Sequence, residues 1–126
     1  MVWIILAGVA AAVVAYVVIM GIMQNKHVKT LSEEEFKAGY RKAQLIDVRE
    51  PDEYKNGHIL GARNIPLSQM RQRISEVRND QPVYLYCESG FRSARAAQFL
   101  RKKKYSGLHQ LQGGFKKWTG KVKKQS

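Results

Sequence analysis

The feature that most restricts how this chain can fold is an unbroken uncharged run at its start. Val2 to Met23 reads VWIILAGVAAAVVAYVVIMGIM, 22 residues without a charge. As a helix it spans about 33 Å, against about 30 Å for the hydrocarbon core of a bilayer. Residues 1–23 are therefore expected to form a membrane-spanning helix in contact with lipid, and 24–29 a polar linker. A cleaved signal peptide is the rival. It would open on Lys or Arg and carry a shorter apolar stretch, and this N-terminus does neither. Lysines follow the run (Lys26, Lys29) and none precedes it. The expected topology is a single pass through the cell membrane, with the N-terminus outside and the remainder in the cytoplasm. Trp3 suits the outer interface, and Ala7, Ala11 and Ala15 form a small-residue row compatible with helix pairing.

The remaining residues suffice for one small domain. They carry all of the net charge of +12. A basic domain held at a membrane is drawn to anionic headgroups, by about 1 kcal/mol per well-placed Lys or Arg. No zinc-finger or RNA-recognition signature accompanies the basic residues, so nucleic acid is not an expected partner. The single cysteine excludes an internal disulfide and any multi-thiolate zinc site, and a free thiol suits a reducing compartment. His27, His58 and His109 lack metal-ligand spacing, so neither a metal nor a cofactor is expected.

Strand and helix signals alternate. Val28–Leu31 reads as a strand, and Ser32 with Glu35 forms a capping box for a helix ending near Gly39. Gln44–Val48 is a second strand, Pro51–Asn56 a short helix stopped by Gly57, and Ala62–Ile65 a strand closed by Pro66. Ser68 is the expected N-cap of a helix running to about Val77. Gln81–Tyr86 is a strand, Arg92–Lys103 a helix with Ala96, Phe99 and Leu100 on its apolar face, and Leu108–Leu111 the last strand. Gly113 and Gly114 mark a turn, and Phe115 to about Lys121 a closing helix. This alternation predicts an α/β domain over 30–121 with a mostly parallel sheet, followed by a basic tail at 122–126.

In such sheets, ligands sit outside the carboxyl ends of the strands. Cys87 and Asp47 both fall there. Around the cysteine the chain reads Pro82-Val83-Tyr84-Leu85-Tyr86-Cys87-Glu88-Ser89-Gly90-Phe91-Arg92-Ser93-Ala94. A β-prone run leads into the thiol, a compact loop with a central glycine follows, and then a helix points its positive end at the sulfur. A lone cysteine is commonly just a small buried apolar residue. Here strand, cysteine, glycine loop and helix stand in the order that stabilises a thiolate nucleophile.

Four segments resemble the rhodanese family of sulfurtransferases, in its single-domain form. They are Leu45-Ile46-Asp47-Val48-Arg49, Gly57 to Pro66 (GHILGARNIP), Tyr86 to Ser93 (YCESGFRS), and Leu111-Gln112-Gly113-Gly114 with Trp118. The resemblance covers about Val28 to Lys121. It implies a three-layer domain with a five-stranded sheet, and a persulfide mechanism in which Cys87 takes a sulfane sulfur from a small donor such as thiosulfate. A thiol, cyanide or a protein acceptor then removes it. It also implies that backbone N–H groups of the loop Cys87-Glu88-Ser89-Gly90-Phe91-Arg92 hold the transferred sulfur, with Arg92 favouring thiolate and anionic donor. Ser93 caps the following helix, and Asp47 and Arg49 lie near the active rim, as substrate contacts or, for Arg49, in a structural ion pair. Glu88 departs from the more basic loops of efficient thiosulfate users, and its charge is expected to oppose thiosulfate.

Two other readings compete. Cysteine phosphatases place one more residue between Cys and Arg than the four found here, leaving room for a tetrahedral phosphate. A non-catalytic docking or persulfide-sensing module would suit a tethered basic domain, although such modules commonly lose the nucleophile.

Overall fold

A computed structural model describes residues 1–25 and 28–124; Lys26 and His27 lie outside the described residues. The apolar run forms helix α1 (Val2–Asn25). From Val2 to Met20 its side chains are exposed, Trp3 at 72 % and Val17 at 62 %, so the domain's core does not cover them.

Strands β1 (Val28–Leu31), β2 (Gln44–Asp47), β4 (Arg63–Asn64), β5 (Val83–Tyr86) and β6 (Leu108–Leu111) make a five-stranded sheet in the order β1-β6-β5-β2-β4. Every neighbouring pair is parallel, with Asp47 opposite Tyr86 on one side and Asn64 on the other. Helices α2 (Glu33–Gly39) and α4 (Phe91–Lys102) cover opposite faces of this sheet, giving the expected α/β layering. Alternation along β5 divides the core. Val83 and Leu85 pack with Ala96, Ala97 and Leu100 of α4, while Tyr84 and Tyr86 pack with Phe36 and Tyr40 on the α2 side. The Ser32–Glu35 capping box forms as read.

The structure corrects two helices. The segment expected as a helix from Ser68 to Val77 holds two 3-10 turns, Leu67–Gln69 and Ile74–Glu76. Ser68 does not cap it; its hydroxyl donates to Glu50 Oε1 (3.1 Å). Tertiary bonds compete with a helical ladder here. The Tyr105 hydroxyl bonds the Ile74 and Val77 carbonyls (3.2 and 2.8 Å), and the Leu67 N–H bonds the Val48 carbonyl (3.0 Å). The closing helix shrinks to one 3-10 turn, Phe115–Lys117. Trp118 turns extended so that its ring meets Phe36 and Tyr40 edge-on at about 6 Å, and the Thr119 N–H bonds the Glu33 carboxylate. A two-residue ladder also escapes sequence reading. Strand β3 (His58–Ile59) pairs antiparallel with β7 (Val122–Lys123), so residues read as the start of a basic tail join the domain. Two residues are too few to show a period.

Candidate active site

β5 delivers Cys87 to the rim of the sheet, and α4 starts at Phe91. The connection turns at Gly90, whose φ of 116° is a conformation that glycine adopts without steric cost. That turn points the Gly90 N–H at Cys87 Sγ, 3.0 Å away. The Ser93 hydroxyl lies 3.5 Å from the sulfur, and the first turn of α4 lies beyond it. Cys87 is only 1 % exposed. Space remains open beside Gly90, where an added Cβ would meet nothing within 4 Å, and Phe91 stands 81 % exposed at the lip. Ser89 is exposed at the loop tip.

Arg92 does not reach freely into the opening. Its guanidinium grips Glu53 of α3 (Pro51–Lys55) through two bonds, Nη1–Oε1 at 2.6 Å and Nη2–Oε2 at 2.9 Å. This bidentate clamp, with help from the Glu50 N–H, holds the Glu53 carboxyl down at about 2. Arg92 in turn stays more firmly cationic, first because of Glu53 and also because of the nearby Cys87 sulfur.

Asp47 and Arg49, expected near the active rim, lie beneath the loop, 0 % and 3 % exposed. Arg49 Nε and Nη2 bond both Asp47 oxygens at 2.8–3.1 Å, Nη2 also bonds the Gly57 carbonyl (2.6 Å), and Nη1 reaches Glu88 (3.0 Å). The guanidinium also lies 4.4 Å from the centre of the Phe115 ring. Burial opposes its charge, but the bonds and charge of Asp47 outweigh that penalty and hold it cationic. The pair therefore anchors the Cys87 loop from below, and Arg49 offsets part of the negative charge that Glu88 brings to the rim.

The turn after β6 supports the loop from the side. The Phe115 N–H donates to the Cys87 carbonyl (2.8 Å) and the Lys116 N–H to that of Glu88 (3.1 Å). Gly114 makes this approach possible, since a Cβ there would fall 2.6 Å from the Cys87 oxygen. A groove of about 290 Å³ between Glu33, Gln112, Gly113 and Trp118 opens on the same rim.

Sequence reasoning missed Glu53 and Gln110. Glu53 is the fourth residue of a second capping box begun by Glu50, a signal present in the sequence. Gln110 carries no motif. It sits on β6 with Oε1 3.1 Å from Ser93 Oγ, and its Nε2 donates to Thr30 (3.0 Å). His58 and His109 pack on aromatic rings, His58 stacked on Tyr54 at 3.7 Å and His109 tilted on Tyr84 at 4.8 Å.

Fold and loop together define an α/β domain that presents one buried thiol, met by the Gly90 N–H, at the carboxyl rim of a parallel sheet. The family profile described as a rhodanese-like domain matches residues 32–121, and the chain belongs to that family. It is 61 % identical over 113 residues to the uncharacterized protein YqhL of Bacillus subtilis, covering 90 % of each chain. It is 32 % identical over 78 residues to the thiosulfate sulfurtransferase GlpE of Shewanella oneidensis, covering 62 % of this chain and 77 % of that one. The crystal structure of a rhodanese-related protein from Thermoplasma volcanium superposes with a TM-score of 0.69 at 27 % identity, over 75 % of this chain and 96 % of that one.

Proposed function

We propose that the protein is a membrane-anchored sulfurtransferase that carries a sulfane sulfur on Cys87. The observation that carries this reading is the Gly90 N–H aimed at Cys87 Sγ at 3.0 Å, inside a loop whose carbonyls are tied down from outside. Backbone donors and a helix N-terminus favour a charged sulfur without any metal. The Cys87 thiolate attacks the outer sulfur of a donor such as thiosulfate. A sulfur–sulfur bond forms, and sulfite leaves with the electron pair of the bond that breaks. An acceptor thiolate, on a small molecule or a protein, or cyanide, then attacks the outer sulfur of the persulfide and Cys87 departs as thiolate. Arg92 and the Arg49–Glu88 contact set the charge at the mouth of the loop. The identity to a named thiosulfate sulfurtransferase supports this chemistry.

The anchor is α1, a single pass with its N-terminus outside and the domain in the cytoplasm. Its support is an apolar span over Val2–Met20 with no part of it buried, and lysine only on its C-terminal side.

The test is sulfite release from thiosulfate by the full chain in detergent, with cyanide or a dithiol as acceptor. Turnover by the natural chain and none by Cys87→Ser is the expected result. Hydrolysis of an aryl phosphate that Cys87→Ser abolishes, without sulfite release, would mean a phosphatase instead.

A further inference from the structure

The two ends of the domain differ in charge. Parallel strands put all their carboxyl ends at the catalytic rim and all their amino ends opposite. The sheet-covering helices run antiparallel to the strands, so both finish at the amino end. Helix α2 is followed there by Arg41 and Lys42, and α4 finishes in Arg101, Lys102, Lys103 and Lys104, largely exposed side chains. Among the described residues the acids at that end are Glu76 and Asp80. Arginines hold both, Arg73 on Glu76 at 2.6 Å and Arg78 on Asp80 at 2.8 Å. The other acids gather toward the rim, in Glu33–Glu35 opening α2, Asp47 ending β2, Glu50 to Glu53 around α3, and Glu88 in the loop.

The apolar helix joins the domain at this same basic end. Asn25 closes α1 and Val28 opens β1, and three residue steps cover at most about 11 Å. The amino end of β1, at the edge of the sheet, is therefore held within that reach of the end of α1.

We propose that the basic amino end of the sheet docks on the anionic headgroups around α1, so that the Cys87 rim faces away from the membrane toward soluble donors and acceptors. The inference rests on the anchor proposed above. Two independent helix ends supply the charge. Clustered Lys and Arg held close to an anionic surface are attracted to it and released by salt.

The test is a lysine acylation footprint, read by mass spectrometry, on the full chain in nanodiscs of phosphatidylcholine alone or mixed with phosphatidylglycerol. Docking predicts that anionic lipid slows acylation of Lys102, Lys103 and Lys104 by at least about threefold, that high salt restores it, and that Lys116 and Lys117 at the rim are unchanged. Arg41→Gln with Arg101→Gln should weaken the protection. Equal slowing of all lysines, or none, in chains that stay in the bilayer would overturn the docking and leave the anchor standing. Release of the chain from vesicles by alkaline carbonate would overturn the anchor, and the docking with it. Equal protection of Lys102–Lys104 by a single-stranded RNA on neutral nanodiscs would mark a nucleic-acid face and overturn the proposal.

Discussion

Replacing Arg49 by methionine should destabilise the domain more than any other single rim substitution. Methionine keeps much of the length and the apolar stem but removes every donor. Asp47, at 0 % exposure, would lose its bonds to Nε and Nη2, and the Gly57 carbonyl and Glu88 would each lose a partner. Removing one member of a buried ion pair costs about 3–5 kcal/mol, because the remaining charge is left desolvated. Against a typical total of about 5–15 kcal/mol, that is a large share. At roughly 4–8 °C per kcal/mol for a domain near this size, the midpoint should fall by at least about 12 °C. The assay is thermal and urea unfolding in detergent followed by near-ultraviolet circular dichroism. Asp47→Leu combined with Arg49→Met should recover much of the loss, because the buried charge is gone. A single-variant loss below about 1 kcal/mol would refute the claim that this pair is a buried anchor.

Other outcomes follow from the same geometry. Gly114→Ala forces a methyl against the Cys87 and Glu88 carbonyls at a φ of 68°, and should cost at least about 2 kcal/mol in urea titrations and most of the sulfur-transfer activity. Glu53 has a carboxyl held at about 2, below its unfolded value, so its clamp on Arg92 contributes fully above about pH 5 and is lost as pH falls toward 2. A Glu53→Gln chain should therefore show a shallower acid limb in a stability-against-pH profile. Gln110→Leu leaves Ser93 without its side-chain partner on β6 and should shorten the life of a Cys87 persulfide several-fold in a thiol-chase assay, with little change in unfolding midpoint. Glu88→Gln removes a negative charge from the loop mouth and should lower KM for thiosulfate more than it changes kcat.

The sheet and the thiol were readable because their signals are local and repeated. Val83-Tyr84-Leu85-Tyr86 is buried on both faces, Ser32 and Glu35 form a capping box within four residues, and Gly90 sits where the loop needs a positive φ. What sequence could not show depends on partners far along the chain. Tyr105 decides that Ile74–Val77 is not a helix, Trp118 leaves its expected helix for Phe36, and the two-residue β3–β7 ladder has no period to detect. The site divides in the same way. Cys87 and its loop were legible, whereas the burial of Asp47 and Arg49 and the grips of Glu53 on Arg92 and Gln110 on Ser93 are tertiary.

Whether Cys87 carries the transferred sulfur can be read by intact-protein mass spectrometry. The full chain and its Cys87→Ser variant are treated with thiosulfate, analysed, and chased with a thiol. The natural chain alone should gain one sulfur atom, removed by the chase. A gain that survives Cys87→Ser would contradict Cys87 as the carrier, as would a natural chain that gains no sulfur from thiosulfate or from a low-molecular-weight persulfide.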